Sequence, residues 1–197
     1  MKLGEHLRTA VISVFSLTLL TGCIFPLILF ALGRPLYPDQ AAGSLVTRNG
    51  VVIGSRLIGQ GFTRPEYFHS HPSSAGAGYD GTASGGTNLG PSNRKLIEDV
   101  RQLAEDYRKS NGLPPDTLVP VDAVTRSGSG LDPHISPRNA ELQMARVARA
   151  RSLNADALRR LVASHTQGPQ LGFMGNPQVS VLALNLALDR AAPLTPR

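Results

Sequence analysis

The sequence predicts an α+β fold in which a single N-terminal transmembrane helix is followed by one extracytoplasmic domain. Three observations support this fold class. Residues 9–33 carry no charge, an Asn49-Gly50 pair separates two strand-like runs, and apolar residues recur at helical spacing over residues 92–110. Because the chain has 197 residues, one membrane span leaves room for one domain of ordinary size.

The uncharged stretch at residues 9–33 is long enough to cross a membrane. As a helix it spans roughly 37 Å at about 1.5 Å per residue, and the hydrocarbon core of a bilayer is about 30 Å thick. Thr18, Gly22 and Pro26 recur at spacings of four and so share one narrow face. Small residues in this arrangement favour close packing against another membrane helix, the alternative being that the glycine and proline only bend this one.

The charged residues that flank the span indicate its orientation. Lys2 and Arg8 precede it, against Glu5, whereas Arg34 follows it with Asp39 close behind. Because cytoplasmic flanks carry an excess of basic residues, this bias predicts a cytoplasmic N-terminus. The predicted organisation is a cytoplasmic segment at 1–8, the transmembrane helix at 9–33, a linker at 34–43, the extracytoplasmic domain at 44–190 and a flexible tail at 191–197.

A cleaved leader is the competing interpretation of the same segment. Leu20-Thr21-Gly22-Cys23 matches the site at which lipoprotein precursors are cut and lipidated on cysteine. However, the apolar run continues through residues 24–30, whereas a signal peptide typically has about 7–15 apolar residues followed by small, polar ones. We therefore favour the retained helix. Cys23 is the only cysteine, so no intramolecular disulfide can form.

The composition excludes some classes of partner. The formal net charge is +6, but the basic residues are scattered rather than clustered with aromatic ones, so nucleic-acid binding is not expected. Hydrophobic residues make up 41% of the chain and aromatic residues 5%, with no Trp. The domain should therefore have a modest, mainly aliphatic core.

The chain after the membrane alternates short strands, long loops and helices. The local patterns predict a hairpin at 44–48 and 51–55 that 57–60 could prolong and a long loop at 61–91. An amphipathic helix should run from 92 or 93 to 110, where Asn111-Gly112 stops it, followed by a strand at 118–124 and a loop at 125–137. The patterns further predict a helix capped by Ser136 that runs to about Arg151 with Arg146 and Arg149 at its edge, and a helix capped by Asn154 that ends near His165. Residues 179–188 fit either a helix or a strand.

Two groups of chemically reactive residues lie in the loops. His69 and His71 have the spacing of two metal ligands on a strand, but a metal site needs three or four ligands and no cysteine accompanies them, so two exposed histidines are the simpler interpretation. Ser129, Asp132 and His134 are the residue types of a hydrolase triad. They lie very close in sequence and lack the strand, turn and helix that frame a nucleophile. We therefore predict no catalytic and no metal-binding residue.

A glycine-rich segment within the first loop could bind an anion. Backbone N–H groups around Ser84, Gly85, Gly86 and Asn88 could form a nest ahead of the helix that follows. No Gly-Lys-Ser or Gly-Lys-Thr follows as it does in a P-loop, and glycine-rich turns far outnumber phosphate sites. An ordinary turn is therefore the alternative.

Several stretches together resemble one family, the C subunit of the Kdp-type potassium-transporting ATPase (KdpC). Each is loose alone, but their order and spacing agree over nearly the whole chain. They are Leu20-Thr21-Gly22 with Pro26-Leu27, Leu57-Ile58-Gly59-Gln60 with Phe62, Tyr67-Phe68, Ala83-Ser84-Gly85-Gly86-Thr87-Asn88-Leu89, residues 127–135 around Ser129-Gly130-Leu131-Asp132, Gln143 with Arg146-Val147-Ala148, and Leu184-Asn185-Leu186-Ala187-Leu188-Asp189.

The resemblance implies a non-catalytic subunit of a high-affinity potassium import complex in the bacterial plasma membrane. Its implied partners are the channel-like potassium-translocating subunit, the ATP-hydrolysing P-type subunit and a further small subunit of the Kdp complex. No firmly bound cofactor is implied, and ATP is expected only through the complex. The family has also been proposed to act as a catalytic chaperone that raises the ATP affinity of the ATP-hydrolysing subunit, with Ser84, Gly85, Gly86 and Asn88 as candidate nucleotide contacts.

The predicted topology conflicts with direct nucleotide contact. ATP is cytoplasmic, whereas the charge bias places residues 84–88 outside the cytoplasm. We therefore favour a mechanical role, in which the helix anchors to the channel-like subunit and the domain stabilises the potassium entrance. The sequence departs from the family at His71, where we expect Arg before Pro72-Ser73. The alternative functions are an anchored extracytoplasmic enzyme and a membrane-anchored solute- or metal-binding protein.

Overall fold

The computed structural model describes residues 3–194, so positions 195–197 of the predicted flexible tail lie outside the described residues. The chain divides into two compact units, the first ending at Ile53 and the second beginning at Gly54. The α+β prediction is confirmed, because one long apolar helix precedes a region that contains both helices and strands.

The first unit contains a continuous helical segment from Leu3 to Leu36 that is 34 residues long, with a mean hydropathy of 2.3. It consists of α1 (Leu3–Leu19), a π-helical turn (Leu20–Ile24) and α2 (Phe25–Leu36). Its length of roughly 51 Å exceeds the thickness of a hydrocarbon core. A short helix α3 follows at Pro38–Ala41, so much of the predicted linker is helical.

The π-helical turn has a local cause in Pro26. Proline has no N–H, and in a regular α-helix its ring would clash with the carbonyl of Gly22 four residues back. The helix widens instead, and the N–H of Phe25 bonds to the carbonyl of Leu20, five residues back. The helix therefore contains a wider turn that starts before the proline.

A two-stranded hairpin follows, made of β1 (Leu45–Arg48) and β2 (Val51–Ser55). The turn residues have positive φ angles, 52° at Asn49 and 77° at Gly50, which are the conformations that a type I′ turn requires. The hairpin prediction is confirmed. Its prolongation over residues 57–60 is wrong, because the chain turns at Leu57, whose N–H donates to Ser55 Oγ at 3.1 Å.

The second unit begins with a long loop and a capped helix. Residues 56–93, all of which the structure describes, form no helix or strand. Helix α4 (Arg94–Asn111) is capped by Asn93, whose side chain accepts a hydrogen bond from the N–H of Lys95, and ends at Gly112 with φ 65°. Both termini match the sequence prediction.

The predicted strand at 118–124 is wrong. Pro120 has φ −59° and ψ 145° and precedes a short helix, α5 (Val121–Val124). The helical turn brings the Asp122 carboxylate to the start of the next helix, where it accepts hydrogen bonds from the Ser136 N–H at 2.7 Å, Ser136 Oγ at 2.8 Å and Asn139 Nδ2 at 2.8 Å. These tertiary bonds favour the helix over the strand that the local pattern predicts.

A small antiparallel sheet and three helices complete the second unit. In chain order the elements are β3 (His134–Ile135), α6 (Pro137–Arg151), α7 (Ala155–Ser164), β4 (Thr166–Gln167), β5 (Gln178–Ser180) and α8 (Val181–Ala191). The strand order is β3-β5-β4, with Val179 opposite both Ile135 and Thr166. The undecided segment at 179–188 is therefore the end of a strand followed at once by a helix.

The predicted caps of the two helices before β4 are confirmed. Ser136 Oγ accepts from the N–H of Asn139 at the start of α6, and Asn154 accepts from the N–H of Asp156 at the start of α7. The core between α6, α7, α8 and the sheet is largely aliphatic, as predicted, with the buried ring of Phe68 and the partly buried ring of Phe62 supplied by the long loop. Its fully buried members include Phe68, Ala140, Val147, Val179, Leu184 and Leu188.

Candidate functional site

The predicted helix-packing residues remain accessible. Thr18, Gly22 and Pro26 are exposed, and a Cβ placed on Gly22 would meet nothing within 4 Å. The π-helical turn covers Gly22 and ends just before Pro26. Because a wider turn rotates the chain less per residue than an α-helix does, residues four apart in it stay close to one face. A role for these three residues in helix packing stays a prediction.

The glycine-rich segment predicted to bind an anion lies against the second loop. Together residues 73–75, 84–86 and 128–130 form what we call the loop junction. The Ser129 carbonyl accepts hydrogen bonds from the Gly85 N–H at 2.9 Å and from Ser84 Oγ at 3.0 Å. Ser73 Oγ donates to the Gly130 carbonyl at 2.6 Å, and Ser74 Oγ donates to the Gly85 carbonyl at 2.8 Å. Backbone–backbone and side chain–backbone hydrogen bonds thus join two loops that are 45 residues apart.

Close backbone approach explains the glycines at positions 86 and 130 of the loop junction. Gly130 has φ 69°, and a Cβ there would lie 2.6 Å from the Ala75 nitrogen and 2.8 Å from the Gly85 oxygen. A Cβ on Gly86 would lie 3.0 Å from the Gly128 oxygen. Both the conformation and the space at Gly130 therefore require glycine.

One N–H group of the predicted anion nest is already hydrogen-bonded within the protein. The Gly85 N–H points to a protein carbonyl, so it is committed within the fold. Asn88 has a positive φ of 52°, but α4 starts only at Arg94. Nucleotide or anion binding at Ser84, Gly85, Gly86 and Asn88 stays a prediction.

The residue types of a hydrolase triad do not form one. Ser129 Oγ accepts from the Leu131 N–H at 3.1 Å, while His134 Nδ1 lies 3.4 Å from Asp132 Oδ1 and His71 Nε2 lies 3.9 Å from Asp132 Oδ2. The Asp132 carboxylate thus lies between two imidazoles. Hydrogen bonds from His134, together with the charge of His71, hold the pKa of Asp132 below its usual value.

The two loop histidines have separate roles. His71 Nδ1 lies 3.3 Å from the Thr125 carbonyl, beside the second loop, and His69 Nε2 lies 3.1 Å from the Arg64 carbonyl. Across residues 3–194 no group of three or more His, Cys, Asp or Glu side chains is placed to hold a metal ion. A metal-binding role therefore gains no support from the geometry.

Two buried arginines hold the long loop against the helices. Arg146 on α6, only 8% exposed, donates to the carbonyls of Pro65 at 2.6 Å and Tyr67 at 2.8 Å, to Asn111 Oδ1 at 2.9 Å and to Gln143 Oε1 at 2.8 Å. All four acceptors, which lie within the described chain, are uncharged. Burial lowers the pKa of Arg146 to about 10, so it stays protonated at neutral pH.

Arg151 makes the second attachment of the long loop. Its guanidinium donates to the Glu66 carbonyl at 2.8 Å and to Asp189 Oδ1 at 2.7 Å, and lies 4.8 Å from the centre of the Tyr67 ring. Tyr67 in turn donates to Asp189 Oδ2 at 3.3 Å. The loop therefore connects α6 to α8.

Amide side chains complete the attachment of the same loop. The Asn185 amide bonds both the N–H and the carbonyl of Phe68, at 2.9 Å each. Gln143 does the same for His69, at 2.7 and 3.1 Å. We call Gln143, Arg146, Arg151 and Asn185 the polar clamp. Its effect is to fix the backbone of a segment that has no secondary structure of its own.

The prediction that Arg146 lies at the edge of its helix is wrong. Asn139, Gln143 and Arg146 follow one another at spacings of four and three, so they share one helical face. That face is buried. The spacing of these three polar residues could have indicated a buried polar face. It does not stand out in the sequence, because a buried helix face is normally recognised by apolar residues at that spacing.

We expect His69 to make the fold less stable in mild acid. Burial, with the nearby charge of Arg146, lowers the pKa of His69 from 6.5. The folded protein therefore binds fewer protons there than the unfolded chain does, so this contribution is complete above about pH 6.5 and is lost as the pH falls below it.

The measurement is the free energy of unfolding of the full chain in detergent, by urea titration at about pH 8 and about pH 5.5. His69→Gln should reduce the difference between the two values, whereas the control His6→Gln, at an exposed position of α1, should leave it unchanged. An equal difference in the native chain and in His69→Gln would contradict the assignment.

A comparison with known protein families gives one match that spans both units. The family described as "KdpC: K+-transporting ATPase, c chain" matches residues 7–190. The chain belongs to the KdpC family. The matched range runs from the start of α1 to the last turn of α8, so it includes the membrane-length helix, the loop junction and the polar clamp.

Individual KdpC relatives match over nearly their whole length. A potassium-transporting ATPase KdpC subunit of Koribacter versatilis is 50% identical over 195 residues, covering 98% of this chain and 99% of the relative. One from Mycobacterium tuberculosis is 53% identical over 186 residues, covering 94% and 98%. One from Beijerinckia indica is 50% identical over 190 residues, covering 96% of each. The likeness therefore extends over both units of the chain and nearly all of each relative.

Proposed function

We propose that this chain is the non-catalytic accessory subunit of an ATP-driven, high-affinity potassium import complex. The observation that carries the proposal is the KdpC family match over residues 7–190. The relatives with that match are named subunits of a potassium-transporting ATPase. The partners that we propose are the channel-like potassium-translocating subunit, the ATP-hydrolysing subunit and a further small subunit of the same complex.

The proposed division of labour assigns the helix to assembly and the domain to stabilisation of the potassium entrance. An exposed apolar helix of 34 residues has a notched face at Thr18, Gly22 and Pro26 that suits close helix packing. In the second unit the loop junction and the polar clamp attach long loops by many hydrogen bonds, which supports its action as a rigid body. Such a body suits a structural contact better than a catalytic cycle that requires a mobile lid.

We further propose that the protein is a single-pass subunit of the bacterial plasma membrane with a cytoplasmic N-terminus. Lys2 and Arg8 before the span support this orientation. A catalytic-chaperone role, in which the chain raises the ATP affinity of the ATP-hydrolysing subunit, is the finer alternative. In this orientation residues 84–88 lie outside the cytoplasm and cannot contact cytoplasmic ATP. A rise in the ATP affinity of the ATP-hydrolysing subunit would then be transmitted through contacts within the complex.

Co-purification of the tagged full-length chain from its native membranes tests the proposal. The native chain should bring down a potassium-stimulated ATPase, and Gly22→Leu should reduce its recovery about tenfold or more, because a leucine fills the notch that allows close helix approach. Leu32→Ile, an exposed apolar exchange on the same helix, is the control. Recovery of the native chain alone would overturn the accessory-subunit function.

The same preparation tests the finer proposals. Protease added outside spheroplasts should remove the domain if the N-terminus is cytoplasmic, and a protected domain would refute that orientation. In the purified complex, a KM for ATP that does not change on removal of this subunit would refute the chaperone role.

A further inference from the structure

The loop between β4 and β5 carries three large apolar side chains in solvent. Leu171 is 82% exposed, Phe173 77% and Met174 52%. We call these residues the apolar tip. Exposed apolar groups of this size are rarely adjacent on a protein surface unless they contact another molecule.

The apolar tip is held in one conformation by its own backbone. The Gln170 N–H donates to the Met174 carbonyl, and the Met174 N–H donates to the Gln170 carbonyl, both at 2.8 Å. The Gly172 N–H bonds to the Pro169 carbonyl at 3.1 Å. Leu171 and Gly172 have positive φ angles of 53° and 83°. A loop ordered before binding loses little conformational entropy when it docks, so its side chains suit the role of anchors.

Charge and size distinguish among the surfaces that could cover the apolar tip. No Lys or Arg occurs between Arg160 and Arg190, whereas segments that bind lipid surfaces usually combine apolar side chains with basic ones. In a stable interface each partner buries about 800 Å² of surface, and the exposed area of three side chains is much smaller. The apolar tip alone is therefore too small to hold two copies of this chain together. A small anchor is sufficient where another contact already holds the two proteins together, as the membrane helix would.

We propose that the apolar tip docks in an apolar pocket on another protein subunit of the transport complex. The inference rests on the proposed function and deepens it, because it assigns one partner contact to three named residues of the second unit. The helix and the tip together would then give the subunit two separate attachments to its complex.

The experiment is photo-crosslinking in native membranes with the full chain and its complex. Phe173→benzoylphenylalanine places a photoreactive ring of similar shape at the tip. Leu118→benzoylphenylalanine is the matched control, since Leu118 is 87% exposed and lies elsewhere in the chain. Irradiation should join position 173, but not position 118, to a subunit that mass spectrometry identifies as part of the potassium-transporting ATPase.

The possible results distinguish failure of the docking proposal from failure of the proposed accessory-subunit function. The docking proposal is overturned if position 173 gives no adduct, an adduct only with lipid, or an adduct with a second copy of this chain. The proposed function still stands in each of these cases if the complex co-purifies with the native chain. Failure of the native chain to bring down the complex overturns both. Phe173→Ser should also weaken association about tenfold, whereas Leu118→Ser should not; equal recovery of the two variants would count against the tip.

Discussion

Replacement of Arg146 by methionine is expected to lower the free energy of unfolding by about 3 kcal/mol. Methionine has no N–H donor, so four acceptors each lose a hydrogen bond, although Gln143 Oε1 keeps the one from the His69 N–H. Each unsatisfied buried acceptor costs about 1–3 kcal/mol, and relief from burying a guanidinium offsets part of the sum. The loss is large compared with the total stability of about 5–15 kcal/mol that is typical of a domain.

Arg149→Met is the matched control, because Arg149 lies on the same helix and is exposed. It should change stability by less than about 0.5 kcal/mol, as surface substitutions usually do. Urea unfolding of the full chain in detergent, followed by circular dichroism, measures both variants. If Arg146→Met and Arg149→Met are equally stable, the buried guanidinium does not hold the long loop.

Gly130→Ala is expected to destabilise the fold by a similar amount, about 3 kcal/mol. An alanine at φ 69° costs about 1–2 kcal/mol. Its Cβ would also come within 2.6 Å of the Ala75 nitrogen, and such crowding typically costs about 1–3 kcal/mol more. The backbone of the loop junction would have to separate to admit the methyl group.

Gly128→Ala provides the comparison two residues away. A Cβ at Gly128 meets nothing within 4 Å, and its φ lies outside the left-handed region, so we expect a change of less than about 1 kcal/mol. The same urea titration applies to both variants. Equal losses at positions 128 and 130 would mean that close approach at the loop junction is not the cause.

The elements that the sequence predicted correctly are those with local causes. The Asn49-Gly50 turn, the Asn93 and Gly112 ends of α4, and the Ser136 cap of α6 each depend on residues within one turn of the chain. The long uncharged run likewise predicts its own helix. In these segments local propensity and the tertiary fold agree.

The errors arose where distant contacts decide the local structure. Residues 118–124 have strand-like composition, but Asp122 is needed to bind Ser136 and Asn139, which a helical turn achieves. Residues 179–188, which the sequence left undecided, hold the end of a three-residue strand followed at once by a helix. A strand of three residues is too short to show a clear alternation of apolar and polar side chains.

The candidate site was predictable in its parts but not in its assembly. Both glycine-rich loops stood out in the sequence, yet nothing local states that Gly85 meets Ser129. The polar clamp was missed for a related reason, since Gln143 and Arg146 bury polar groups against backbone from another part of the chain. Buried polar side chains that bond to distant backbone groups produce no periodic pattern of apolar residues in the sequence.

The strand order β3-β5-β4 has a consequence for the order in which the domain can form during synthesis. Both outer strands pair only with the central one, within the described chain, and the central one is made last, at Gln178–Ser180. The residues that fill the core from α8, and Asn185 that holds Phe68, also come from the end of the chain. Translation must therefore reach residues 178–185 before the sheet and this core can close, so α6 and α7 leave the ribosome without their final packing partners.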